Sequence, residues 1–282
     1  MLNIPLHWLL ALLAVVWGQA SAEPVTLRFG VLSIAPPARI HANWQPFTHY
    51  LSAQLGQAVA IVVPRGFGKM RAAAANNEVD IFYVNSHVFY RLHKEGKATG
   101  LAQMQNIAGK VTSRSEIYVR ADSGIESVKQ LKGKRIAYIS PMGAGGYLAP
   151  RAWLLENGVD DTREIFTRNL SNSIHQVLLG DVEAGTMCGV NYRLMSRKVD
   201  TGELKVIGAS EEYPENLVAA RASLDPALQK RIRTILIEMD HTPAGRKVLE
   251  QMHGMKIRRF LPYDPATITR TEKLLEEAQL NP

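Results

Sequence analysis

Short apolar runs alternate with stretches of helical spacing along this chain, and the alternation runs twice. Val25 to Leu32 alternates and then turns wholly apolar, which predicts a first strand. Pro36-Pro37-Ala38-Arg39 should break it. Trp44, Phe47, Leu51 and Leu55 then fall on one face of a helix stopped by Gly56. Strands follow at 59–64 and 80–84, with an alanine-rich helix over 67–77 between them. Asn85-Ser86-His87 ends the third strand, ahead of a helix over 88–94, and strands at 102–108 and 115–120 close the first round. The second round reads strand 135–139, helix 148–157, strand 163–168, helix 173–179, strand 182–188 and helix 191–198, then strands at 204–208 and 217–221. Helices over 225–238, 242–252 and 265–279 finish the chain. Strand, helix, strand in this order specifies an α/β fold and predicts parallel sheets. Run twice, it predicts two lobes with a cleft between them and a junction near 115–121. In open α/β sheets ligands sit outside the carboxyl ends of the strands. The strand tips are Ser33–Arg39, Asn85–His87, Ser140–Gly146 and Cys188–Asn191, and one cleft can hold all four.

The second round turns on Ser140-Pro141-Met142-Gly143-Ala144-Gly145-Gly146-Tyr147-Leu148-Ala149-Pro150-Arg151. A glycine-rich turn from strand to helix exposes consecutive backbone N–H groups at the helix N-terminus, a place that favours an anion. Pro150 suits the first helical turn, where its missing N–H costs little. Glycines also serve in ordinary sharp turns, so the loop by itself leaves both readings open.

The chain has 282 residues, 46% of them hydrophobic and 21% charged. That is enough for a substantial core and excludes a disordered chain. The apolar stretch from Trp8 to Trp17, followed by Gly18-Gln19-Ala20-Ser21-Ala22, reads as a secretory leader over 1–22. Cleavage after Ala22 and a periplasmic location are therefore expected. The start lacks Lys and Arg, so an uncleaved anchor is the alternative, for which the run is short. Cys188 is the single cysteine, which excludes an internal disulfide framework. A net charge of +7 attracts anions in general. Lys and Arg are scattered, without the basic blocks and interleaved aromatics of a nucleic-acid binder.

Further segments carry a family resemblance: Glu78-Val79-Asp80-Ile81, Val119-Arg120-Ala121-Asp122-Ser123-Gly124-Ile125-Glu126-Ser127 with Leu131-Lys132-Gly133-Lys134, Gly146-Tyr147-Leu148-Ala149-Pro150-Arg151, and Gly180-Asp181-Val182-Glu183-Ala184-Gly185. In this order and spacing the chain resembles the periplasmic substrate-binding proteins of phosphate, phosphite and phosphonate ABC importers, a branch of the type II periplasmic-binding fold. The resemblance runs from Leu27 to about Gly254. It implies a discontinuous first lobe (23–117 and 215–282), a second lobe (118–214), and crossing strands near Ile117–Arg120 and Leu217–Arg221. It also implies a small oxyanion or oxyacid ligand, an ABC permease in the inner membrane as partner, a monomer, and neither cofactor nor enzymatic activity.

The family's loop usually reads Asp-Pro-x-Ser-Thr-Ser-Gly-Tyr, and its hydroxyls help hold a tetrahedral oxyanion. Here those positions are Gly143, Ala144 and Gly145. The backbone cup remains, with Gly146 and Tyr147 completing it, while three side-chain donors are gone. Each lost charge-assisted bond is worth about 1.5–3 kcal/mol. A cleft Asp of the family aligns with Cys188, and a His with Leu170. Cys188 reads either as a small buried hydrophobe at a strand end or as a ligand for a soft species, with Met142 as sulfur partner. The second option gives an alternative function: a sensor protein for arsenite or another soft ligand, signalling to a histidine kinase. Asn85, Ser86 and His87 are candidate donors at one strand tip, and Arg39 a candidate anion partner at another, although a surface Arg is commoner. A thiol enzyme pairing Cys188 with His175 or His87 has no local signature to support it.

Overall fold

The computed structural model describes residues 26–281; the leader expected over 1–22 lies outside them. The first strand, β1 (Leu27–Val31), leads into α1 (Pro37–Leu55). This helix begins at Pro37 instead of Trp44. The two prolines that look like breakers sit at its start, where Pro37 lacks only an N–H that would be unpaired anyway. Arg39 therefore lies in the first helical turn and not in a loop. Pro46 interrupts the helix interior, but the face made by Ile40, Trp44, Phe47 and Leu51 is buried and holds it on the sheet.

Next come β2 (Val59–Val62), α2 (Phe67–Ala75), β3 (Ile81–Val84), α3 (Ser86–Lys94), β4 (Ala98–Asn106), β5 (Thr112–Ser113) and β6 (Ser115–Arg120). The second round follows as β7 (Arg135–Tyr138), a wide turn over Ala144–Leu148, α4 (Ala149–Glu156), β8 (Arg163–Phe166), α5 (Leu170–Leu178), β9 (Ala184–Cys188), α6 (Gly189–Met195) and β10 (Leu204–Ala209). The chain ends with β11 (Tyr213–Pro214), β12 (Leu217–Arg221), α7 (Pro226–Ile237), α8 (Pro243–Met252), β13 (Ile257–Pro262) and α9 (Ala266–Glu277). Asp225 caps α7 by accepting from the Leu228 N–H at 2.8 Å, as the Asp-Pro pair predicts.

One sheet runs β13-β4-β12-β3-β1-β2 and the other β10-β6-β9-β7-β8. Both are mixed, which corrects the expectation of parallel sheets. β1 is parallel to β2 and β3, and β7 to β8 and β9. By contrast β12 is antiparallel to β3 and β4, and β6 to β9 and β10. The reason is topological. β1, β3 and β9 end where the two sheets face each other, whereas β6 and β12 have just arrived from the opposite sheet and begin there. A strand that starts at the edge where its neighbours end must run against them.

The chain passes between the sheets twice, after Asn106 and after Ala209, and in these passages β5 pairs with β11, Ser113 opposite Tyr213. The segments 117–120 and 217–221 are accordingly not the crossings; they lie inside the sheets as β6 and β12. The sequence pattern also misses β13. A register shift between Ile257 and Arg259 turns Ile257 and Phe260 to the core, three residues apart, and hides the period of two. Phe260 closes a ring cluster: Phe47–Phe260 centroids are 5.8 Å apart, Phe29–Phe47 5.1 Å and Trp44–Tyr83 4.8 Å.

Candidate functional site

A cavity of about 180 Å³ lies between the sheets. Its walls come from the end of β1 (Val31, Leu32), the start of α1 (Arg39, Asn43, Trp44), Asn85 after β3, Gly143–Gly146 after β7, Cys188 at the end of β9, and α6 (Asn191, Leu194, Met195). Tyr213, Asn216 and Lys256 close it near the passages between the sheets.

Gly145 and Gly146 are bare because neighbours occupy the space their side chains would need. A Cβ on Gly145 would fall 1.9 Å from the Tyr213 hydroxyl, and one on Gly146 2.6 Å from Ile139 Cγ1. Ser115 Oγ donates to the Gly145 carbonyl at 2.5 Å. The Gly143 N–H is spent on the Ser140 carbonyl at 2.8 Å, and the Met142 N–H on Ser140 Oγ at 3.3 Å. The N–H groups of Ala144, Gly145 and Gly146 open the helical run, where no preceding carbonyl is in register to accept them. Two residues expected here stand elsewhere. Met142 is half-buried against the core of the first sheet, away from the cavity wall, and its carbonyl accepts from Asn85 Nδ2 at 3.1 Å. Tyr147 turns into the second core, where its ring meets Tyr138 and Phe166 and its hydroxyl donates to Glu164 at 3.0 Å.

Asn85 reaches the cavity with its amide nitrogen and oxygen each holding one partner. Its Oδ1 caps α3 by accepting from Val88 at 2.9 Å, and its amide holds the glycine loop. It is a clasp between the two sheets. Ser86 and His87 are not on the cavity wall, because α3 starts at Ser86 and turns both into packing. His87 is 3% exposed; its Nε2 accepts from Arg91 Nε at 3.4 Å, which leaves the proton on a buried Nδ1 with no partner. Burial, with Arg91 adding to it, pushes the His87 pKa down to about 4. An unfolded chain takes up this proton near pH 6.5, the folded one only near 4. Folding stability is therefore whole above pH 6.5 and falls as pH drops through that window, by up to about 3 kcal/mol. Urea midpoints from pH 7 to 4 should show a steeper fall for the wild type than for His87→Leu; parallel curves would refute the assignment.

Cys188 lies on the wall, 4% exposed. Its sulfur is 3.4 Å from Ser113 Oγ and 3.5 Å from Lys256 Nζ. Lys256, 6% exposed, donates to Glu215 Oε2 at 2.5 Å, and Ser113 and Asn106 donate to the other oxygen. Burial alone would push the Glu215 carboxyl up; the Lys256 ammonium and the two donors outweigh it and hold it below the usual glutamate range. Burial would likewise discharge Lys256, but the Cys188 sulfur and Glu215 beside it keep it charged. Lys256 holds a left-handed φ of 63°, a conformation that costs a non-glycine residue about 1 kcal/mol. Tyr213 is buried beside Cys188 and Ser115, and burial first, then Cys188 and Glu215, raise its pKa so far that the phenol stays neutral. Arg39 and Lys198 line the cavity as exposed cations, and no carboxylate among the described residues stands within ion-pair distance of either.

Sequence reasoning missed Tyr213, Asn216, Lys198 and Lys256. The first two lie in or beside the passage between sheets, whose place the pattern misjudged, and Lys256 precedes the strand it overlooked. No local motif marks them.

No helix among the described residues is long and apolar enough to cross a membrane. Two mixed sheets that exchange strands around a cleft define a periplasmic-binding-protein fold. The same form occurs in PhnD1 from Prochlorococcus marinus in complex with methylphosphonate, with TM-score 0.79 over 91% of this chain and 99% of that one, at 16% identity. The chain belongs to the family described as ABC transporter, phosphonate, periplasmic substrate-binding protein, which matches residues 29–267. This is a family of binding components of transporters, not of enzymes. The phosphate-import protein PhnD of Mycolicibacterium smegmatis is 24% identical over 235 residues, 78% of this chain and 73% of that protein. The tetrathionate sensor histidine kinase TtrS of Salmonella typhimurium is 29% identical over 147 residues, 51% of this chain; the match spans only 25% of that kinase.

Proposed function

We propose that this protein captures a phosphonate- or phosphate-class oxyanion in the periplasm and hands it to an ABC permease. The two sheets are then the cores of two lobes that close on the ligand. The observation that carries the reading is the hydroxyl-free loop Gly143–Gly146, whose opening N–H groups share a cavity with the unpaired cations Arg39 and Lys198. Membership of the family supports it. In this reading the leader is removed after Ala22 and the protein works as a monomer. Titration calorimetry with phosphate, phosphite and methylphosphonate tests it. Arg39→Ala should weaken whichever of these binds by about tenfold, the worth of one charge-assisted bond. Binding of none of the three would sink the importer reading.

A second reading has a specific observation behind it: the similarity to a tetrathionate sensor kinase combined with a thiol on the cavity wall. There the protein would capture a soft or sulfur-containing oxyanion and report to a histidine kinase. Tetrathionate and arsenite belong in the same titration. A response to either that disappears in Cys188→Ser, with no response to the phosphorus compounds, selects the sensor.

A further inference from the structure

We propose that the two rims of the cleft together form one basic docking face, and that the membrane partner meets it with an acidic surface laid across both. This rests on the importer reading above and names the face and the chemistry of the partner that reading leaves open.

The first observation is where uncompensated charge collects. Arg39 and Lys198 line the cavity and are exposed, so they mark where it opens to solvent. Four more exposed cations stand beside wall residues: Arg65 and Lys69 on either side of Phe67, Arg168 two residues ahead of Leu170, and Arg197 next to Lys198. No carboxylate among the described residues is within ion-pair distance of any of the six, whereas Arg71 and Arg193, nearby in sequence, find partners in Glu95 and Glu116. The six account for almost all of the chain's net charge of +7. The sequence around them shows why they stay unanswered. No Asp or Glu occurs between Glu23 and Glu78, between Glu164 and Asp181, or between Glu183 and Asp200.

The second is how the charge is divided. Arg39, Arg65 and Lys69 follow strands of the first sheet, β1 and β2; Arg168, Arg197 and Lys198 follow β8 and α6 beside the second. The Asn85 amide on one side reaches the Met142 carbonyl on the other at 3.1 Å, so the two rims meet in this structure. Bringing three positive charges beside three more costs free energy. An acidic surface spanning both rims reverses the sign of that cost. It attracts six charges on the closed protein and only three on either lobe of an open one. Ligand and partner then both favour closure, and each strengthens the binding of the other.

The third is the way out. Tyr213, Asn216 and Lys256 close the cavity near the passages between the sheets, so a ligand leaves through the basic mouth. A partner that receives the ligand must cover this mouth. Arg65, Lys69, Arg168 and Arg197 lie off the cavity wall, so an enclosed ligand leaves them free for that partner. A fluid lipid surface needs no such placement. It would be served equally by the exposed Lys230 and Arg233 of α7, a helix with no residue on the cavity wall.

The test uses the whole protein and the ABC permease encoded beside it, held in nanodiscs of zwitterionic phosphatidylcholine, with docking read by surface plasmon resonance. Arg65→Glu with Lys69→Glu, and separately Arg168→Glu with Arg197→Glu, should each weaken docking by at least about tenfold. Raising the salt from ~50 to ~500 mM should weaken the wild type by a similar factor. Lys230→Glu with Arg233→Glu should change docking by less than about twofold. Calorimetry with phosphate, phosphite and methylphosphonate should give both rim variants the wild-type affinities within about threefold, because exposed charges off the wall act on the ligand only through screened fields. Docking that ignores the rim charges overturns the inference while the importer reading stands. So does equally tight binding of the wild type to bare phosphatidylglycerol vesicles, which makes the rim a lipid contact. A loss of anion affinity with docking intact overturns it too, and makes the rim a guide for the ligand. A wild type that does not dock on the permease at any salt sinks the importer reading and this inference together.

Discussion

Lys256→Met should lower the melting temperature by about 10 °C, and the loss should be larger at pH 8 than at pH 5. Lys256 and Glu215 are 6% and 0% exposed, paired at 2.5 Å. Removing one member of a buried pair strands the other charge, a loss of about 3–5 kcal/mol. In a chain of this size 1 kcal/mol corresponds to about 2–4 °C. The pH dependence follows from what Glu215 does next. In the wild type its pKa is held below the ordinary value, so its stabilisation is present above the unfolded pKa and lost only as pH falls through the lower folded one. Without the ammonium, burial dominates and the folded pKa rises above the unfolded one. The folded variant then prefers a protonated Glu215, and its deficit grows as pH rises. Urea midpoints at pH 5 and 8 measure this; an equal loss at both would show that Glu215 is not the stranded group. Lys256→Met with Glu215→Leu should recover most of the stability, because an apolar pair leaves no charge behind. The same pair joins a residue ahead of β13 to the second passage between sheets, so stability and cleft geometry share this contact.

What the sequence disclosed here follows the range of the interactions. The strand and helix order is written in local periodicity, and residues of all four tips it marks (Ile34 and Arg39, Asn85, Gly143–Gly146, and Cys188 with Asn191) do meet at one cavity. Strand direction was not legible, because it depends on which strands change sheets. The Pro36-Pro37 pair reads locally as a break and acts as a helix start, a distinction set by the apolar face that continues to Leu51. Glu215 and Lys256 are 41 positions apart, and nothing near either one names the other. His87 looks like a free donor in a one-dimensional reading; the helix beginning at Ser86 turns it into packing. The bareness of 143–146 was visible in the composition. Its cause at Gly145, a tyrosine from another strand, was not.

That cause yields the other large effect. Comparison with the family's usual loop suggests that Gly145→Ser restores an anion donor and tightens binding. The structure predicts the opposite: weaker binding by tenfold or more, on the order of 1–3 kcal/mol of overpacking. The new Cβ would lie 1.9 Å from the Tyr213 hydroxyl, and Tyr213 is 3% exposed with no room to retreat. The loop must therefore move, and with it the carbonyl of Gly145 that Ser115 holds at 2.5 Å. Gly143→Ser is the control. The tightest contact of its Cβ would be the Ser140 carbonyl at 3.1 Å, relieved by a few tenths of an ångström, so in the wild-type background this serine should not weaken binding and should tighten it where its hydroxyl reaches the anion. The decisive experiment is the double variant. Tyr213→Ala removes the obstruction, and in that background Gly145→Ser should tighten methylphosphonate by about tenfold, the worth of one charge-assisted bond. A Gly145→Ser change that tightens binding in the wild-type background, or fails to help once Tyr213 is gone, would mean that something other than Tyr213 keeps this position bare. Reversal of sign between the two backgrounds would show that the tyrosine and the missing hydroxyl occupy one position in space, supplied from two different parts of the chain.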